Sequence, residues 1–194
     1  MNKNKQKQRS FLNTALIVLL IVSGVFSFAF NMLSPIFAIF VEKIGGNLTT
    51  ASNASAIFLA VSGLLTFIAS KYENDLKEKE LAIIWSQVIL GLGYLLYFFC
   101  NGAAMLYLIQ VILGIAEALY WPAFHALYAA HTDSKKSFTQ WGFYDGLAYL
   151  FPSVGAALGG WLVAAYGFGS IFLVMAILSF LNAFFILFLP RKIL

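Results

Sequence analysis

Six long apolar segments, separated by short polar breaks, constrain this chain more than any motif it contains. They cover about 11–41, 49–70, 81–100, 103–130, 137–166 and 169–189. A helix crossing the hydrocarbon core of a bilayer needs roughly 20 predominantly apolar residues. Most of the six are near or above that length. The first, fourth and fifth are longer, so tilted or protruding ends are expected. Only 10% of the 194 residues are charged, against about 25% in a soluble domain, which suits a chain whose solvent is mostly lipid. The first segment is too long for a signal-peptide core and has no obvious small-residue cleavage site, so it reads as a span. The expected fold is an all-α integral membrane protein of six transmembrane helices. Residues 1–10 form a basic N-terminal segment, 11–189 the membrane domain and 190–194 a short tail.

Orientation follows from the lysines and arginines. Lys3, Lys5, Lys7 and Arg9 precede the first span, Lys71, Lys77 and Lys79 lie between the second and third, Lys135 and Lys136 between the fourth and fifth, and Arg191 and Lys192 after the sixth. Lys43 alone falls in an opposite-side loop. The positive-inside rule then puts both termini in the cytoplasm, with the plasma membrane as the expected location. The formal charge of +4 is not gathered into one basic stripe, so a lipid surface is a better partner than nucleic acid. The single cysteine, Cys100, allows no internal disulfide. No Walker-type glycine-lysine loop, His-Glu-x2-His or cysteine cluster is present. ATP, a metal centre and other cofactors are therefore not expected. No nucleophile stands out with a base beside it, and an enzyme is not expected either.

An internal repeat is legible. Ser34-Pro35-Ile36-Phe37-Ala38 resembles Trp121-Pro122-Ala123-Phe124-His125 at an offset of 87 residues, and the same offset lays spans two and three onto five and six. Three spans per copy make the second copy enter the membrane from the other side. A 3+3 inverted repeat, about 11–100 and about 103–189, is a layout associated with secondary transporters; coincident helix lengths are the alternative.

The chain also resembles a family. Gln110-x3-Gly114-x2-Glu117 followed by WPAFHAL is similar to the span-four motif of the major facilitator superfamily, with glutamine where the family usually has arginine. Gly146-x8-Gly155-Ala-Ala-Leu-Gly159-Gly160 is similar to its span-five glycine motif, with Ala156 where proline is common. The loop ASKYENDLKEKE stands where the family has its acidic-basic loop, with Lys71 aligned. The resemblance covers nearly the whole chain and implies the N-terminal six-helix half of such a transporter. It also implies that spans one and four line the cavity, that two and five help form the contact between halves, and that three and six face outward.

On a helix each residue turns about 100°, so Gln110, Gly114, Glu117, Trp121, His125 and Tyr128 fall within roughly one 80° stripe. Ionisable groups in spans usually face the bundle interior or a watery cavity. Glu117 is read as a proton-coupling or cation-binding acid, or else as a packing hydrogen bond to a neighbouring helix. Pro122 is expected to kink the helix or free an acceptor near it. His125 and Asp145 lie at similar distances from Lys135 and are candidate partners at the cytoplasmic side; Asp145 alternatively anchors span five there. Asn31, Gln110, Tyr120 and Trp121 are candidate cavity-lining residues, the aromatic pair offering a cation–π wall. Gly155, Gly159 and Gly160 are candidate close-packing positions. No lysine or arginine lies inside a span, which favours protons or a cationic solute over an anion. The reading is a half-size secondary active transporter, proton-coupled, moving or expelling a small cationic or amphipathic solute. It would act as a homodimer, the span-five glycines near its axis, or with a separate partner half. The competing reading is a truncated membrane scaffold that no longer transports.

Overall fold

A computed structural model describes residues 11–73, 78–190 and 193–194. The basic segment 1–10, Lys77, Arg191 and Lys192 lie outside the described residues. Among the described residues seven α-helices follow in order: α1 Thr14–Asn31, α2 Phe37–Lys43, α3 Leu48–Glu73, α4 Lys79–Leu96, α5 Ala103–His131, α6 Ser137–Tyr166 and α7 Phe168–Leu187. They make six segments long and apolar enough to cross a membrane, because α1 and α2 together form the first, Thr14–Lys43.

The two prolines related by the repeat act differently. Pro35 sits in a 3-10 turn, Ser34–Ile36, that separates α1 from α2. Pro122 lies inside α5, which runs on uninterrupted to His131, and Pro152 lies inside α6 in the same way. A proline removes one backbone donor; in α5 and α6 the helix continues across that gap.

Helix α5 packs against α3 and α4, α4 against α7, and α1 against α6 and α7. Exchanging spans one with four, two with five and three with six maps these contacts onto themselves, which is compatible with the 3+3 repeat, while among the described residues α6 also meets α7 with no comparable contact of α3 with α4. Spans two and five are the least enclosed. Among the described residues of α6, only Gln140, Tyr144, Gly155 and Gly159 are buried, and their spacing puts them on the stripe that meets α1.

That contact depends on glycine. A methyl group at Gly155 would meet the carbonyl of Phe28, and one at Gly159 the carbonyl of Met32, both on the first span. Gly160 has nothing within 4 Å. The close approach of span five is thus made to span one of the same chain, and Gly160 takes no part in it. In α5, Gly114 does the same service against α3, where an added methyl would lie 3.0 Å from the carbonyl of Phe58.

At the basic end, polar bonds tie the helix termini together. Asn13 caps α1 by accepting from the backbone N–H of Leu16 at 2.8 Å, and its Nδ2 donates to the carbonyl of His131 at 2.8 Å. Gln140 donates to the carbonyl of Phe11 and accepts from the N–H of Asp133, while Tyr128 donates its hydroxyl to the Gln140 carbonyl at 2.6 Å. The start of α1, the end of α5 and the start of α6 therefore share one end of the bundle. The sequence puts basic residues beside all three.

Candidate functional site

Glu117 stands midway along α5, fourteen residues from Ala103 and fourteen from His131. At 1.5 Å per residue that is about 21 Å from either end, near the centre of any bilayer the helix crosses. Trp121, one turn later, donates its indole N–H to Glu117 Oε1 at 3.0 Å. The other oxygen, Oε2, is buried and has no hydrogen-bond partner among the described residues. Buried polar atoms are nearly always partnered, and this oxygen is left open. It can take up a proton there or hold a ligand's donor.

Trp121 is fixed from several sides. Its ring meets Phe26 of α1 edge-on at 5.4 Å and stacks on the His125 imidazole at 5.3 Å. From His125 an aromatic column continues to Trp141 and Tyr144 of α6. The column leads from the mid-membrane carboxyl towards the basic end.

The other candidates separate. His125 is exposed on the isolated chain, as is Asp145. Among the described residues the two share no hydrogen bond or ion pair. The imidazole is instead held against indole rings. Tyr120, expected on a cavity wall, is completely buried: its ring stacks on Phe26 at 4.1 Å and on Phe124 at 5.6 Å, and its hydroxyl has no partner among the described residues. Its position, three residues on from Glu117, turns it out of the stripe and into the core. Asn31 bonds back to the Ser27 carbonyl of its own helix at 2.9 Å. Gln110 is buried and donates to the Tyr97 hydroxyl at 2.8 Å, on the wall of a cavity away from the basic end. The stripe on α5 is thus shared among different neighbours: Gln110 serves span three, Gly114 span two, and Tyr128 span five.

Sequence reasoning missed Gln140, the hub of the basic-end bonds, and the pairing of Tyr97 with Gln110. Asn13 was findable, since a lone asparagine just before an apolar run is a helix-start signal. Among the described residues no group of three or more His, Cys, Asp or Glu side chains is placed to hold a metal.

The model of the Major Facilitator Superfamily matches residues 19–193. The chain belongs to this superfamily. Its members are membrane transporters, so this is a multi-pass integral membrane protein of a transporter family. Among curated proteins no match was found.

Proposed function

We propose that the chain is a secondary active transporter that couples protons to the movement or expulsion of a small cationic or amphipathic solute. Glu117 is the coupling acid. One observation carries this reading: a carboxyl midway along α5 has one oxygen held by Trp121 and the other buried without a partner. Trp121 positions the group, and protonation of the free oxygen competes electrostatically with a cation held along the same face of α5. The aromatic column through His125 offers a route of approach from the basic end, which we assign to the cytoplasm of a cell whose plasma membrane holds the protein. The family's two-unit architecture leads us to propose a second six-helix unit, a second copy or a partner chain. It would cover the exposed apolar faces of α3 and α6.

The test is uptake or efflux in proteoliposomes with and without an imposed pH gradient. Glu117→Gln keeps an acceptor for the Trp121 indole, so folding should be retained while gradient-driven movement is lost. Full gradient-driven transport by that variant would remove the coupling role.

A further inference from the structure

In the half of the bundle away from the basic end lies a cavity of about 220 Å³, walled by spans one, two, three, four and six. Its inner wall carries Tyr94, Tyr97 and Gln110, all buried. The Gln110 amide nitrogen is committed to Tyr97, which fixes the amide. Among the described residues no protein donor reaches the Gln110 oxygen, and the Tyr94 hydroxyl makes no hydrogen bond. Phe30 of span one and Phe58 of span two line the same cavity, their rings 5.5 Å apart and tilted at 33°. Ser55, exposed on α3, lies on the rim.

Size and sign select the occupant. An apolar cavity of about 150 Å³ accepts benzene, so this one has room for a ring and a short chain with a headgroup. No lysine, arginine or histidine lines it to meet an anion. Ring faces carry negative potential and attract cations. The amide oxygen and the tyrosine hydroxyl are acceptors that a purely apolar guest would leave unpaired. Glu117 follows Gln110 on the same stripe of α5, two turns or about 10 Å farther on.

We propose that this cavity binds a single-ring organic monocation, a protonated arylalkylamine, with its ammonium at Gln110 and Tyr94 and its ring against Phe30 and Phe58. The site deepens the transport reading and rests on it for why a solute is held here. The walls all come from one chain, so binding needs no second six-helix unit.

The test is calorimetric titration of the full chain in nanodiscs at neutral pH, with empty discs subtracted. Phenethylammonium is the probe, and 2-phenylethanol and 3-phenylpropionate are its neutral and anionic matches. The expected result is one site per chain and about a tenfold preference for the cation over either match, about 1.4 kcal/mol. Ser55→Phe and Leu59→Trp, both on exposed rim positions of α3, should each weaken phenethylammonium about tenfold, or ~1.4 kcal/mol, with helicity unchanged. Gln110→Leu should erase the preference for the cation over the alcohol. Equal binding of the three probes, or undiminished binding in both rim variants, would overturn the site. The two readings fail separately. Binding of this form without gradient-driven transport removes the transport reading and leaves the site. Gradient-driven transport without phenethylammonium binding removes the site and leaves transport.

Discussion

Replacing Gly159 with alanine should break the approach of α6 to α1, while the same replacement at Gly160 should not. At Gly159 the new methyl would meet backbone atoms of Met32, with both C and Cα at 2.7 Å and the carbonyl oxygen nearer still. Met32 lies in the turn just after α1 and is buried, and backbone there cannot swing aside as a side chain does. Overpacking of this kind destabilises by about 1–3 kcal/mol. Against it stands the better helix propensity of alanine, about 0.5–1 kcal/mol. The net loss is then on the order of 1–2 kcal/mol. At Gly160 nothing lies within 4 Å, so only the propensity gain remains. The assay is the apparent melting temperature of each variant in the same nanodiscs. For a chain of this size 1 kcal/mol shifts the midpoint by about 2–4 °C. Gly159→Ala should fall by about 2–8 °C, and Gly160→Ala should hold or rise by about 1–4 °C. Because the substitution is identical and the positions adjacent, lipid and detergent effects cancel. An equal fall in both variants, or an unchanged Gly159→Ala, would refute the packing of span five on span one.

Other bonds give smaller expected effects. Asn13→Ala removes the α1 cap and the bond to the His131 carbonyl, and should lower stability by about 0.5–2 kcal/mol, with faster amide exchange at Leu16. Gln140→Leu strips the partners from the Phe11 carbonyl and the Asp133 N–H. It should loosen the basic end, read as faster proteolysis between α5 and α6, with little change in the opposite half. Asn182→Ala removes a buried bond to the Val22 carbonyl, 2.9 Å long. Interhelical bonds in membranes average about 0.6 kcal/mol, so its melting temperature should fall by only about 1–2 °C.

The six spans were legible because a bilayer imposes one requirement, length in apolar residues, and composition answers it directly. Sequence boundaries at 11 and 169 shift to Thr14 and Phe168 in the structure because Asn13 caps α1 and Gly167, at φ 78°, joins α6 to α7. A single helical wheel located Glu117 and Trp121 on one face, and their hydrogen bond follows from i, i+4 spacing. It failed for Tyr120 and for the pairing of His125 with Asp145. A wheel gives direction on one helix but not which neighbour stands there. Phe26 of α1 and Trp141 of α6 fill those places, and they come from sequence positions far from span four. Gln140 was missed for the same reason, since its partners Phe11 and Asp133 converge only when three helix ends meet. The glycines Gly155 and Gly159 differ from Gly160 by their neighbour, which is span one in the same chain; the motif alone does not distinguish them.

The most direct test of the central claim is proton movement caused by a cation that cannot itself carry a proton. Benzyltrimethylammonium has a fixed charge and carries no proton, so in proteoliposomes holding a pH-sensitive dye the pH change left after subtracting protein-free liposomes passes through the protein. The wild-type chain should shift the internal pH when the cation is added. Glu117→Gln, with an unchanged melting temperature, should not. A Glu117→Gln variant that shifts pH as fast as the wild type would contradict the assignment of Glu117 as the coupling acid.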